Sequence, residues 1–217
     1  RKDMYVESPL GRRRNLYSYL LPKSFEGAEY LYAAADRRAR NAPIQGMGSD
    51  FGFIGNRLIA ARAWTRKKET GENALKICNT VHDSLESLAL VKHLLFSIKT
   101  IEECLTSGVA ETVKSRHNFH FPVGLEIDIE IGPNLRDCQK WDGSAPELFR
   151  IVAESLAFQK YKLKYKSIAI KDSLHDILKN QKQDMPKYLL TQLKSYKPDI
   201  DIIVQAAIEK IREQEYN

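Results

Sequence analysis

Residues 74–90, ALKICNTVHDSLESLAL, decide the fold class. Two extended segments flank His82-Asp83-Ser84, a polar run suited to a tight turn. Strands joined by a tight turn pair antiparallel. The stretch therefore predicts a β-hairpin with the carboxylate of Asp83 at its tip.

A long helix is expected before this hairpin. Apolar residues recur at spacings of three and four from about residue 26 to 68, and Pro43 should interrupt or kink the helix because it lacks an N–H. Gly48, Gly52 and Gly55 follow on one face, each at a cost of about 1 kcal/mol relative to alanine. They predict that another part of the structure packs very close to that face.

Further elements lie outward from this region. Residues 5–18 have turn residues between two short extended segments, which predicts a hairpin with an arginine triplet at or just after its bend. Residues 123–131, VGLEIDIEI, alternate strictly between apolar and polar, which predicts a strand with one core face. Residues 91–116 predict an amphipathic helix.

The predicted fold class is α+β. A small antiparallel sheet is expected from residues 5–18, 75–90 and 121–132, covered on one face by helices 26–68 and 91–116. Two domains are expected. Residues 1–143 contain these elements, and residues 144–217 form an all-helical extension with its own small core and an unknown role.

The composition limits the class of protein. The chain has 217 residues, 43% of them apolar and 29% charged, and it contains no apolar stretch of about 18 residues. The three cysteines have no C-x-x-C pair, so neither a disulfide framework nor a zinc knuckle is predicted. We expect a soluble protein of a reducing cytoplasm, with no membrane partner. The start at Arg1 predicts a fragment, a processed product or a chain whose start is not included.

The positive charge is concentrated in the first third of the chain. Residues 1–70 contain 14 lysines and arginines against 7 acidic residues, whereas residues 71–217 contain 20 against 21. Such a block attracts polyanions, and nucleic acid is the first partner to consider. Ordinary solvated surface charge is the alternative.

Arg37, Asn41 and Gln45 are four residues apart and project from nearly the same helix face. The arginine can hold a phosphate, while the amides can pair with the minor-groove acceptors that every base pair shares. The alternative is an ordinary polar helix surface.

Two acidic patterns invite a metal hypothesis. Asp83 at a hairpin tip could hold a divalent cation, although one carboxylate does not make a site. Glu126, Asp128 and Glu130 share one strand face, with a solvated sheet edge as the alternative.

Residues 161–166, YKLKYK, interleave aromatic and basic residues as in a single-strand binder, although a helix or strand with one lysine face explains them equally well.

Four blocks in order resemble the C-terminal part of the palm in family A DNA polymerases, the group of bacterial polymerase I and its bacteriophage relatives. The blocks cover about 140 residues and comprise YVESPLGRRR at 5–14, Arg37 to Gly46 with the sequence RRARNAPIQG, VHD at 81–83, and PVGLEIDIEIGPN at 122–134.

The resemblance implies template-directed transfer of deoxynucleotides from their triphosphates, with two Mg²⁺ ions at the primer terminus. It implies that Asp83 is a catalytic, metal-holding carboxylate and that His82 touches the primer end. It also implies that primer–template DNA is bound by Arg37, Asn41 and Gln45, and by the phosphate contacts of Arg12, Arg13 and Arg14.

The sequence departs from the family pattern in two respects. Ser84 follows the HD pair, where the family usually has glutamate. The strand with the other catalytic aspartate and the fingers helix that binds the triphosphate would precede residue 1. We therefore expect one portion of a longer or split polymerase, catalytically silent without its N-terminal complement.

Two other functions remain open at this stage. One is a non-catalytic DNA-binding or replisome assembly subunit derived from a polymerase palm, in which Ser84 reflects lost chemistry. The other is a metal-dependent nuclease that uses Asp83 with Glu126, Asp128 or Glu130.

Overall fold

The computed structural model describes residues 4–81, 83–179 and 185–216. It combines helices with small antiparallel sheets, so the α+β prediction is confirmed at that level. The chain divides into two compact units. The first contains residues 1–59, 79–85 and 103–125, and the second contains residues 60–78, 86–102 and 126–217.

The strands pair only with their neighbours in the chain. They are β1 (Tyr5–Glu7), β2 (Arg13–Asn15), β3 (Leu75–Val81), β4 (Ser84–Ala89), β5 (Glu130–Ile131) and β6 (Gln139–Lys140). They form three separate two-stranded sheets, β1–β2, β3–β4 and β5–β6. The prediction of one shared sheet is therefore wrong for the part of the chain that the structure describes. Each turn brings only its own two strands within hydrogen-bonding distance.

Helices make up most of the remaining described chain. They are α1 (Ala28–Thr70), α2 (Leu94–Glu103), α3 (Val109–His117), α4 (Ala145–Tyr161), α5 (Ile170–Lys179), α6 (Lys187–Ser195) and α7 (Ile200–Tyr216). None of the helices within the described ranges is both apolar enough and long enough to span a membrane.

Helix α1 continues through Pro43, so the proline does not interrupt the helix, and the alternative of a kink stays a prediction. A proline removes one backbone hydrogen bond to the preceding turn. The remaining bonds of a 43-residue helix hold the chain helical on both sides of it.

Residues 123–129 are not part of a regular strand, so most of the strand predicted at 123–131 is wrong. Only Glu130 and Ile131 pair, with Lys140 and Gln139, and Trp141 N–H adds a 2.9 Å bond to the Ile129 carbonyl. Alternating burial does persist through residues 125–131. The alternation correctly predicted which side chains of residues 125–131 are less exposed. In the described part of the chain, however, residues 123–128 have no partner strand.

The glycine-rich face of α1 is closely packed at one position only. A Cβ at Gly55 would lie 2.3 Å from Leu105 Cδ2 and 3.5 Å from Val109 Cγ2. At Gly48 and Gly52 a Cβ would meet nothing within 4 Å. The predicted close approach is therefore present at Gly55 and absent at the other two positions in this structure.

The second unit contains a hydrophobic core built around α4. Helix α4 starts at an N-cap, Ser144, whose hydroxyl accepts a 3.3 Å bond from the Glu147 N–H. Its buried face includes Leu148, Phe149 and Ile151, and the same cluster extends to Leu95 and Ile98 of α2 and to the helices that follow. The domain boundary at residues 143 and 144 stays a prediction.

Candidate nucleic-acid interface

All six predicted DNA-binding residues line one groove in the first unit. The cavity has a volume of about 680 Å³ and lies between the β1–β2 hairpin and α1. We call it the arginine groove. Its lining includes Arg12, Arg13, Arg14, Arg37, Asn41 and Gln45, together with Arg38 and Tyr30.

Arg12 fastens the hairpin to the helix. Its guanidinium forms a salt bridge with Asp50, with the Nε atom 2.9 Å from Oδ1, and lies 5.9 Å from the centre of the Phe53 ring. The hydrogen bond with Asp50 raises the pKa of Arg12. The Arg12 side chain passes so close to Gly46 that a Cβ there would lie 3.3 Å from Arg12 Cδ. Because this arginine already has a carboxylate partner, its first role is to position the hairpin.

Arg13 is also paired within the hairpin. Its Nε donates a 2.5 Å hydrogen bond to Glu7, the residue opposite it in the β1–β2 register, and its guanidinium lies 4.5 Å from the centre of the Tyr5 ring. A neighbouring carboxylate neutralises much of its charge toward an incoming phosphate.

Arg14, Arg37 and Arg38 differ from these two arginines. All three are exposed, and they make no hydrogen bond or ion pair through their side chains to the described residues. The amides of Asn41 and Gln45 are likewise exposed and without side-chain partners in the described chain. The groove therefore offers three available cations and two available amides.

The open face of α1 continues beyond the amides. Asn41, Gln45, Gly48 and Gly52 are spaced by four, three and four residues, so they share one helix face with Arg37. From Arg37 to Gly52 this face is about 22 Å long at ~1.5 Å per residue. At ~3.4 Å per nucleotide, that length matches six or seven base pairs.

The β3–β4 hairpin is tied to the same helix in the first unit. The Asn56 amide donates a 2.9 Å hydrogen bond to the hydroxyl of Thr80 in β3. Ser84 closes the turn, because its hydroxyl donates a 2.9 Å bond to the Val81 carbonyl. Asp83 lies in this turn and is exposed.

This tie limits how far Asp83 can lie from the amides. Asn56 is 11 residues beyond Gln45 in the same helix, about 16 Å along its axis. Asp83 is only three residues beyond Thr80, within the same compact unit. Its side chain is exposed, not buried. His82, the other residue predicted to be catalytic, lies outside the described residues.

The exposed carboxylate of Asp83 could supply one ligand of a magnesium site. Mg²⁺ is usually bound by one or two carboxylates together with substrate phosphates and water. Among residues 4–81, 83–179 and 185–216, no three His, Cys, Asp or Glu side chains gather as metal ligands. Asp128 instead forms a 2.8 Å salt bridge with Lys140. Within the described residues, Asp83 is therefore not part of a metal site with three such side chains.

Sequence reasoning missed two residues of this interface. Arg38 lines the groove. Its position next to Arg37 could have indicated this, but Arg38 does not share the helix face of Arg37, Asn41 and Gln45. Asn56, which ties the β3–β4 hairpin to α1, had no signal, because its partner Thr80 is 24 residues away.

Comparisons with known proteins found no matching family model, no matching curated protein and no matching solved structure. The family resemblance therefore rests on the four sequence blocks, and the function drawn from it is a proposal.

Proposed function

We propose that this chain is the C-terminal palm portion of a DNA-directed DNA polymerase of the family A type. It binds primer–template duplex in the arginine groove and presents Asp83 to the primer terminus. The other catalytic aspartate and the fingers come from an N-terminal complement.

One observation carries the proposal. Six residues chosen from sequence for DNA contact line a single groove on α1, and the hairpin that holds Asp83 is tied to the same helix about 16 Å beyond Gln45. This spacing corresponds to about five base pairs at ~3.4 Å each. A duplex lying on the amide row could thus end near Asp83, as a polymerase requires.

The arginines and the amides of the groove would contact different parts of the duplex. Arg14, Arg37 and Arg38 would hold backbone phosphates, since their guanidinium groups are unpaired within the described chain. Asn41 and Gln45 would donate to minor-groove acceptors common to all base pairs, which checks pair shape without reading sequence. Gly48 and Gly52 leave room for the sugar edge, because no side chain stands between it and the helix.

Asp83 would hold magnesium together with carboxylates from the complement. When bound, two magnesium ions would activate the primer 3′-hydroxyl and neutralise the triphosphate. The turn keeps the Asp83 carboxylate exposed, and the bond from Ser84 to Val81 stabilises that turn. The glutamate of the family pattern is thus replaced by a residue that closes the turn locally.

The test substitutes Asp83 in the polymerase reconstituted from this chain and its N-terminal complement. Asp83→Asn should reduce primer extension by at least about a thousandfold, the scale of a lost catalytic group, while duplex affinity stays unchanged. Asp172→Asn, at an exposed position of α5, is the matched control. Unchanged extension in D83N would refute the catalytic role, and extension by this chain alone would refute the need for a complement.

A non-catalytic DNA-binding subunit is the second candidate, and Ser84 favours it. Its hydroxyl is used within the turn, so the position no longer supplies a carboxylate. This candidate predicts duplex binding by the arginine groove with no effect of D83N on any activity. The same pair of assays therefore separates the two candidates.

A further inference from the structure

Residues 155–171 of the second unit contain five lysines and no acidic residue. The rest of residues 71–217 contains 15 lysines and arginines against 21 acidic residues, so this is a local excess of positive charge in an otherwise acidic region. At its centre lies the segment 161–166, YKLKYK, which we call the lysine–tyrosine segment.

The structure shows that this segment is not one face of a helix or strand. Helix α4 ends at Tyr161, and Lys164 adopts a left-handed conformation with φ of 60°. The Leu163 N–H bonds to the Phe158 carbonyl at 3.2 Å, and the Tyr165 N–H bonds to the Gln159 carbonyl at 3.1 Å. The chain therefore turns back over the end of α4 instead of continuing a regular element.

The turn exposes rings and lysines together. Tyr165 is 57% exposed and Tyr161 is 40% exposed. Lys164 and Lys166 are also exposed, with no side-chain partner among the described residues. An exposed aromatic ring in a soluble protein gains from a flat apolar partner, and the lysines favour an anionic one.

We propose that the lysine–tyrosine segment binds single-stranded nucleic acid. Bases stack on Tyr161 and Tyr165, and Lys164 and Lys166 contact the phosphates between them. Alternating rings and cations match the alternation of bases and phosphates in a single strand. A duplex does not fit, because its bases are already stacked within the helix.

An acidic membrane surface is the competing partner for a basic segment. Membrane-surface binding normally uses an amphipathic helix with a broad apolar face. This segment is a turn with a single aliphatic side chain, Leu163, so it does not form a broad apolar face. The observations therefore favour nucleic acid.

The experiment measures the affinity of the full chain for fluorescent oligo(dT) of about 20 nucleotides, longer than the ~16 nucleotides that a compact site covers. Tyr161→Ala with Tyr165→Ala should weaken binding by about tenfold or more per ring. The paired Tyr→Phe variant should bind like the wild type, because the rings remain. Oligo(rU) should bind similarly, since neither rings nor lysines read the 2′-hydroxyl.

The lysines are tested by salt dependence. Lys164→Gln with Lys166→Gln should reduce the slope of log affinity against log salt by about 1.4, at ~0.7 per single-strand phosphate contact. Lys187→Gln with Lys194→Gln, at exposed positions of α6, removes the same charge and should leave the slope unchanged. Thermal unfolding of each variant checks the fold. If the Tyr→Ala variant unfolds, the comparison of the two Lys→Gln pairs tests the proposal by itself.

Three results would overturn the inference. They are unchanged oligo(dT) binding by the tyrosine-to-alanine variant, an equal loss of slope in the α6 control, and binding to phosphatidylserine vesicles in place of oligo(dT). The inference is independent of the proposed polymerase role. Blunt-duplex affinity, which reports the arginine groove, should not change in any of these variants.

Discussion

Replacement of Arg14, Arg37 and Arg38 by glutamine should reduce the salt dependence of duplex binding. The three guanidinium groups are exposed and unpaired within the described chain, so each is free to displace a counterion from a phosphate. At ~0.9 per contact on a duplex, the slope of log affinity against log salt should fall by about 2.7. Between about 50 and 200 mM salt, the wild type should therefore lose about 40-fold more affinity than the variant.

The assay is fluorescence anisotropy of a blunt duplex over that salt range. A triple variant with glutamine at Lys179, Lys187 and Lys194 removes the same charge from exposed positions of α5 and α6 and should keep the wild-type slope. Equal slopes for the wild type and the arginine variant would refute the assignment of these side chains to phosphate. An equal drop in both variants would mean that net charge alone accounts for the binding.

Replacement of Arg12 should have a different effect from replacement of Arg14. Arg12→Gln removes the salt bridge to Asp50 that holds the β1–β2 hairpin on α1, so it should loosen one wall of the groove. Because Asp50 already compensates the charge of Arg12, Arg12→Gln should reduce the slope of log affinity against log salt less than Arg14→Gln does. Hydrogen exchange of residues 5–15 reports the loosening.

Local contacts give three more outcomes. Gly132→Ala should lower the free energy of unfolding by about 2 kcal/mol, because its Cβ would lie 2.5–2.8 Å from backbone atoms. Gly124→Ala, with nothing within 4 Å, should not, and thermal unfolding compares the two. Burial raises the pKa of Glu154, but hydrogen bonds from Lys210 and other groups outweigh burial and lower it below 4.5. The ionised carboxylate therefore stabilises the fold above about pH 4.5 and ceases to do so as the pH falls through the lowered pKa. Glu154→Gln should lose about 2 kcal/mol at neutral pH, and unfolding curves should converge with the wild type in acid. Gly48→Ala should stabilise α1 by about 1 kcal/mol yet weaken duplex binding, as measured by thermal unfolding and anisotropy.

Some features of the fold could be predicted because they depend on neighbours in the chain. The spacing of apolar residues predicted a helix at 26–68, observed at Ala28–Thr70. Turn residues predicted the hairpin of residues 5–18 and the turn that holds Asp83. The row of Arg37, Asn41 and Gln45 also follows from helix periodicity alone.

Other features needed partners from distant parts of the chain. The alternation at 123–131 predicted which side chains turn inward, but a strand also needs a partner. Among the described residues, only 139–141 bond to it, at its end. Gly55 and Gly48 look alike in sequence, yet only Gly55 lies against Leu105 and Val109.

The amino-acid order alone determined the helices, the turns and the types of side chain on each face, because backbone preferences and periodicity act over a few residues. Tertiary structure decided which charges are available. Arg12 meets Asp50, 38 residues away, whereas Arg14 meets no acidic partner in the described chain. Charge compensation falls off over a few ångströms, so only folding can distinguish two neighbouring arginines as a positioning group and a phosphate-binding group.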